Sequence, residues 1–555
     1  MSLSLILCGT TLCGPGGELP PAPGTPGPAV HAVAFVNDPL SHGLVGDGLL
    51  SFNEAIRLHN GTLTAAQLSP AEMAQVQLIP GTGPQTFLAW ANFDGSSTPV
   101  VTVQQDLDPI LDTTFGFYVN SVNEPTLLDF STSTGSHGLR VPANSFEMKD
   151  IILSGGQYGM AVTQTDCTGQ AGVILNHVHF ENQTQYGLRV VTTTPNAIGR
   201  AYLDGCTFTN ATSAIVFDEN VAGRTTIFEL HDCRIHGAQS GVDVVLGAGG
   251  TGRYTFDRVV IDAATTGLRL MRAAGANRTA LIESQHVEVR AGTVAVAIAC
   301  APTGITWATL RMWNVRAGVG GTALQLGSLG DSVYGDLEEL TLDGAVAVLG
   351  GAGPLPLAVN NVRCRNGLVG FGTTPAQVLA VAASRFDNCT VQTQGSAPIG
   401  FAGCCFASGS IAGTAAAPAQ CTTSYVASAG SHVTQTGSLP QPQLGSMKLL
   451  PDTITIGSTA TFQADLPNGL FGVFVLGFTD LAPALQPQPL HLYSIPAYTF
   501  TLPGIYRFQQ TYQWPIPNVQ DYLGLNLTVQ MVALPDPGVQ APPFQLPPGR
   551  HFSLQ

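Results

Sequence analysis

From Ile151 to Phe406 the chain repeats a three-residue pattern: an apolar residue, a freely varying residue, and a second apolar residue. It reads Ile151-Ile152-Leu153, Val178-His179-Phe180, Cys206-Thr207-Phe208, Cys233-Arg234-Ile235, Val259-Val260-Ile261 and Val287-Glu288-Val289. It continues as Trp313-Asn314-Val315, Leu340-Thr341-Leu342, Val362-Arg363-Cys364, Ser384-Arg385-Phe386 and Cys404-Cys405-Phe406. The third residues are separated by 27, 28, 27, 26, 28, 26, 27, 22, 22 and 20 positions. A fixed period in this range predicts stacked supersecondary units. The alternation inside each motif gives one buried and one exposed face of a short strand. Two residues past the motif stand Gly155, Asn182, Asn210, Gly237, Asn366 and Asn388, types that tolerate left-handed turns. A second strand follows in most units, as Gly241-Val242-Asp243-Val244, and a third precedes the next motif, as Ile227-Phe228-Glu229-Leu230. Short strands in threes, joined by turns, predict a parallel β-helix. About eleven coils at roughly 4.8 Å each make a rod on the order of 50 Å long.

This pattern resembles the right-handed, pectate-lyase-like β-helices of bacterial surface proteins, phage tailspikes and polysaccharide lyases. Ahead of the ladder, Asp47 to Ile56 opens an amphipathic helix in which Ser51 and Glu54 form a capping box. Ser69-Pro70-Ala71-Glu72 repeats the device, with Pro at the first helical position. The stretch Asp47 to Asn60 resembles the CSLREA-type motif that precedes β-helices in secreted bacterial proteins. It departs from that motif with Leu50 for Cys, Phe52 for Leu and Asn53 for Arg. The resemblance implies an N-terminal lid on a β-helix outside the cytoplasm, and no chemistry.

After Ser408 the repeat fades into Gly-, Ala- and Ser-rich sequence. From 446 the chain alternates again, in Ile454-Thr455-Ile456, Thr461 to Ala464, Val473 to Leu476, Tyr498 to Phe500 and Leu525 to Gln530. Strands separated by Pro and Gly turns predict an antiparallel β-sandwich. Pro517 to Gln530 resembles the end of small sandwich domains found at the C-termini of bacterial secreted proteins. The expected fold is therefore all-β: a right-handed parallel β-helix with an N-terminal helical cap and a C-terminal antiparallel β-sandwich. Its parts are an N-terminal strand and tether (1–29), the cap and first irregular coils (30–145), the β-helix (146–445), the sandwich (446–536) and a Pro-rich tail (537–555).

Composition narrows the setting. The 555 residues include 64 Gly and 38 Pro, as suits a turn-dense β protein, and only 10% are charged. The net charge of -15 argues against nucleic acid or an anionic membrane surface as partner, since both need basic patches. No apolar run reaches the roughly 18 residues of a membrane span, so no membrane insertion is expected. Eleven cysteines include Cys206, Cys233 and Cys404 in one inward column and Cys364 in the next, where they read as small buried hydrophobes. Alternation points Cys405 outward, where it pairs with Cys421 or with Cys389 in an expected disulfide.

Candidate chemistry is sparse. The outward residues of the ladder place no two carboxylates on neighbouring coils, whereas a β-helix hydrolase or lyase needs clustered acids and bases. His236-Gly237 is similar to the His-Gly pair of polygalacturonases, without that family's acidic and Arg-x-Lys companions. His177-x-His179 places two rings on one strand face, a weak metal candidate. Asp106, Asp108 and Asp112 form a candidate Ca²⁺ loop, and no other cofactor is implied. The remaining signal is at the start. Ser2, Leu3, Ser4, Leu5, Ile6, Leu7 and Cys8 form an apolar β-prone stretch, followed by the tether GPGGELPPAPGTPGP from Gly14 to Pro28. These observations lead to the expectation of a non-enzymatic structural subunit of an extracellular or cell-surface bacterial assembly. It would join head to tail with its own copies through that strand. The alternative is a polysaccharide-binding adhesin or a β-helix polysaccharide lyase or hydrolase.

Overall fold

The structure is a computed structural model. It describes residues 31–438 except 42–45, 80–88, 94–99, 112–116, 123, 134–136, 170, 220–222, 247–248, 273–278, 300–304, 328–331, 350–356 and 375–378. Beyond these it describes the strands at 446–450, 459–465, 470–478, 499–501, 506–507, 509–515, 526–535 and 550–553. The expected assembly strand Ser2–Cys8 and its tether lie outside the described residues.

The repeating motif forms a parallel β-solenoid of about 10 turns. Its coils lie in two walls. One strand of the first wall, such as Thr225–His231, pairs in parallel with Ile198–Asp204 below and Thr251–Asp257 above. The predicted motif opens the second wall, where Thr207, Arg234, Val260 and Glu288 sit side by side on successive coils. In this ladder the residues expected inside are inside: Val178, Cys206, Cys233, Val259, Val287, Trp313, Leu340, Val362 and Cys404 are all buried. So are their partners two positions on, where like residues stack: the rings of Phe180 and Phe208 lie 4.6 Å apart at 1°, those of Phe386 and Phe406 4.9 Å apart at 9°.

Two left-handed positions set the shape of each coil. Asn182, Asn210, Asn366 and Asn388, expected as turn residues, have φ between 53° and 59°. Their amides link coils, with Asn210 Nδ2 donating to Asn182 Oδ1 at 3.2 Å and Asn388 Nδ2 to Asn366 Oδ1 at 3.1 Å. The second position lies immediately before the motif, at Asp150, His177, Gly205, Asp232, Arg258, His286, Met312, Glu339, Asn361, Ala383 and Gly403. This residue turns the chain from the first wall into the second. Its N–H donates to the next coil, as from His177 to the Asp204 carbonyl at 2.8 Å and from Asp232 to the Asp257 carbonyl at 3.0 Å.

The cysteines of the inward column are explained by this corner. Cys206, Cys233 and Cys404 each hold Sγ within reach of the carbonyl two residues earlier, on Asp204, His231 and Ala402, and of one on the coil below, on Leu175, Leu203 and Val381. Ser384 and Ser424 do the same with hydroxyls, to Ala382 at 2.8 Å and Thr422 at 3.0 Å. A small donor at this site thus adds a second bond to a carbonyl that already accepts the corner N–H of the adjacent coil. Burial pushes the Cys404 thiol up to about 12 and the Cys421 thiol up to about 11, so neither is a ready nucleophile.

The ladder extends further than its motif. His31–Val36, Ala89–Phe93, Phe117–Ser121 and Ser145–Lys149 already pair in parallel, so residues before 146 are coils of the same solenoid. At the other end Ala419–Val426 and Val433–Ser438 are still rungs. The helix α1 (Phe52–His59) carries the predicted Ser51–Glu54 capping box, and α2 (Pro70–Met73) the Ser69–Glu72 one. Phe52, Ala55 and Ile56 of α1 are buried in the common core. Its polar residues clamp one strap of chain. Arg57 Nε meets Asp108 Oδ2 at 2.5 Å, Asn53 Oδ1 accepts the Asp108 N–H at 2.8 Å, and Asn60 Nδ2 donates to the Pro109 carbonyl at 2.7 Å. No helix among the described residues is long and apolar enough to cross a membrane.

The C-terminal residues form two antiparallel sheets. Thr459–Asp465 pairs with Ser446–Leu450 and Gln509–Pro515. Leu470–Phe478 pairs with Thr499–Thr501, Tyr506–Arg507 and Asn526–Pro535. The expected tail contributes too, because Arg550–Ser553 adds to Asn526–Pro535 as a further strand.

The stacked core makes Trp313 a sensitive position. Its ring is buried and its Nε1–H donates to the buried Ser284 Oγ at 2.7 Å. Trp313→Ala is expected to cost about 3–5 kcal/mol in urea unfolding through the cavity it leaves. A loss below about 1 kcal/mol would mean that the coils are not packed as described.

Candidate functional site

The charged groups that could do chemistry gather on the outer face of the first wall, beside the left-handed corner. The reason lies in the two residues that precede each motif: Asn176-His177, Asp204-Gly205, His231-Asp232, Asp257-Arg258, Gln285-His286, Arg311-Met312 and Glu338-Glu339. The first of each pair ends its strand facing outward and the second is the corner. Stacking brings each pair over the next, about 4.8 Å away. The first residue of the pair is polar or charged in each of these coils, whereas the corner residue varies freely.

Asp257 is the centre of this cluster. Its carboxylate lies 2.5 Å from Arg258 Nη1, 3.7 Å from His231 Nδ1 and 3.9 Å from His286 Nδ1. Arg258 also grips Asp232 with two bonds, Nε to Oδ1 at 2.7 Å and Nη2 to Oδ2 at 2.8 Å. His231 is flanked on its other side by Glu229 at 3.7 Å and faces the ring of Tyr202 at 5.3 Å. Burial favours a neutral Asp257, but His231, His286 and Arg258 outweigh it and hold the carboxyl well below the usual range. Asp257 in turn pushes His231 up, against the effect of burial. A carboxylate held ionised by a guanidinium and two imidazoles is a poor general acid near neutrality. What the cluster does well is join coils.

The same device recurs elsewhere. Arg253 meets Glu283 at 3.0 Å, Arg311 meets Glu338 at 3.5 Å, Arg363 meets Asp387 at 3.0 Å, and Arg269 is bonded to Asp243. Each of these pairs spans from one coil to its neighbour.

The residues singled out from sequence are scattered by comparison. His177 and His179 do not share a face, because the corner at His177, with φ 52°, breaks the strand alternation between them. His177 pairs with Asp150 at 3.3 Å, while His179 Nδ1 bonds Thr207 Oγ1. His236 lies exposed, paired with Asp262 at 3.2 Å. Asp108 is held by Arg57, and Asp106 Oδ1 accepts the His137 N–H at 3.3 Å; Asp112 lies outside the described residues. Among the described residues no group of three or more His, Cys, Asp or Glu is placed to hold a metal ion.

The expected disulfide is not formed. Cys405, Cys421 and Cys389 are free thiols, and all three are buried. Cys421 faces the core from the first wall, in register with Phe401. Cys405 lies in the outward column of the second wall, between Arg385 and Tyr425. The wall itself separates them. Alternation placed Cys405 correctly, but its long neighbours cover it.

The cluster predicts a titration. His231 has its folded pKa raised, so the stability it contributes is complete below its unfolded value of about 6.5 and is lost as pH rises through the folded value. Asp257→Asn is expected to bring the His231 titration down, read from its imidazole resonances by NMR. An unmoved titration would show that the two groups are not coupled.

Comparison with protein families finds no family model that matches the chain, and comparison with curated proteins finds no match.

Proposed function

We propose that this chain is a non-enzymatic structural subunit of an extracellular bacterial surface assembly, a filament, sheath or layer, in which the solenoid serves as a rod. The observation that carries this reading is the pairing of outward charges from coil to coil. Arg253, Arg258, Arg311 and Arg363 each engage a carboxylate of the neighbouring coil, which favours a role in holding one rung to the next. The apolar, β-prone sequence Ser2–Cys8, followed by the Pro- and Gly-rich residues 14–28, would supply a connector. The two C-terminal sheets, read as a sandwich, supply an acceptor. Ser446–Leu450 is hydrogen-bonded on one side among the described residues, which leaves an edge of the kind that takes up a strand from another chain. A contact of that type does not close on itself, so copies would add head to tail.

Deletion of residues 1–28 tests the connector. Sedimentation of the truncated chain should show a folded monomer under conditions in which the full chain assembles. Equal assembly of both would remove the strand from the proposal.

A second reading, a polysaccharide-binding adhesin, is favoured by one feature of the first wall. Trp307 is 39% exposed, its ring lies 5.4 Å from that of Tyr334, and the exposed Ile305 stands beside it. An exposed indole of this kind, backed by the buried Tyr334 ring at a tilt of 49°, suits the apolar face of a sugar ring. If sugars bind here, oligosaccharides should quench tryptophan emission, and Trp307→Ala should abolish that quenching while the remaining tryptophans still fluoresce. No change on saturation with acidic and neutral glycans would set this reading aside.

A further inference from the structure

The solenoid divides its charges unevenly between its faces. On the first wall, the strands and corner residues between 145 and 339 hold ten carboxylates against five lysines and arginines. Glu283 and Asp232 of this face have about half of their side-chain surface in water, at 46% and 48%. On the second wall the strands before Glu288 are nearly balanced, and the excess turns basic only towards the C-terminal end. The short strands from Glu288 to Asp387 carry five arginines, Arg290, Arg316, Arg363, Arg365 and Arg385, against three carboxylates, Glu288, Asp343 and Asp387. This is a local excess of positive charge in a chain of net charge -15.

The basic strip is crowded. Arg290 and Arg316 are direct neighbours on adjacent coils, a like-charge juxtaposition that strands ordinarily avoid. Both side chains stay 58% and 60% exposed, though Arg290 meets Glu288 at 2.6 Å and Arg316 meets Asp343 at 3.8 Å. Further along, Arg363 and Arg385 share the single carboxylate of Asp387. Burial, followed by the neighbouring Arg365, pushes Arg363 down to about 10, although Asp387 pairs with it at 3.0 Å. Five arginines against three carboxylates leave a net positive strip, which an array of anions repeating at the coil spacing of about 4.8 Å would match. The chain has such an array on its own first wall, built on the same rungs.

We propose that rods associate side by side, the arginine strip of one copy against the acidic first wall of another. The proposal rests on the structural-subunit reading and adds to it a lateral contact distinct from the N-terminal strand. The two strips are centred at different heights, the basic one three to four coils towards the C-terminus, on the order of 17 Å along the axis. Rods pointing the same way therefore meet with a stagger of that size. Because the patch on one copy differs from the patch it meets, the contact is open-ended and builds a sheet.

Sedimentation velocity of the chain lacking residues 1–28 isolates this contact from the strand. Lateral association is expected at about 20 mM salt and should disappear at about 0.5 M, where screening lengths fall below the spacing between the faces. Arg290→Glu with Arg316→Glu and Arg365→Glu should weaken it roughly tenfold or more. A second variant, Glu229→Arg with Glu283→Arg and Asp336→Arg, should do the same, and mixing the two variants should restore association. Circular dichroism of each variant checks the fold. Association that survives both salt and charge reversal would overturn the strips while leaving the structural role standing. A chain that stays monomeric at low salt and instead takes up sulfated dextran through the same arginines would overturn the lateral contact in favour of a glycan. Cleavage of a polysaccharide by the full chain would overturn the structural reading itself.

Discussion

At the end of each first-wall strand the chain must change direction within one residue and still offer its backbone to the coils above and below. The corner residue does this with φ between 48° and 62°, from Asp150 to Gly403. For a residue other than glycine that conformation costs on the order of 1 kcal/mol. The cost is offset because the corner N–H and its neighbours are locked into the coil-to-coil ladder, as Arg234 N–H donates to Cys206 at 2.9 Å and Asp232 N–H to Asp257 at 3.0 Å. The dry column, the asparagine turns and the charged face all depend on this geometry. Were a corner to relax to ordinary extended backbone, every residue beyond it would face the wrong side.

Much of this was legible because two signals coincide. The apolar positions recur at the coil period and alternate within the coil, so Phe180, Phe208 and Ile235 could be assigned to one inward column without knowing how the coil closes. The Asn and Gly residues past the motif were legible for a different reason, since their types match the conformation they adopt. The corner was not, because Arg258, Met312 and Ala383 carry no preference for a left-handed turn. There the conformation is imposed by hydrogen bonds from adjacent coils, and a local reading sees only the residue. The same blind spot produced the error at His177 and His179, whose spacing suits a shared strand face only if no corner lies between them.

The side chains around the corner show how one geometric demand selects several chemistries. Inside, it favours a thiol or hydroxyl that can reach back to the carbonyl of residue i−2, which accounts for Cys206, Cys233, Ser384 and Cys404 better than small size does. Outside, it favours charges that find partners one rung away, as Asp232 finds Arg258. Cys405 shows the limit of such reasoning. Its direction follows from alternation, but its burial follows from the size of Arg385 and Tyr425 beside it, which no single-strand pattern contains.

The regular return of the corner also makes the coil a unit of counting. Excising Asp232 to Asp257 would join His231 to Arg258, replacing one corner by the next in the same hydrogen-bond register. The solenoid would lose one rung of about 4.8 Å and keep both its ends unchanged. Removing one residue more or fewer would turn the following strand over. A chain built this way can drift in length over generations by whole coils while the surfaces at its two ends stay the same. Its length is thus set in steps of one coil, about 4.8 Å each.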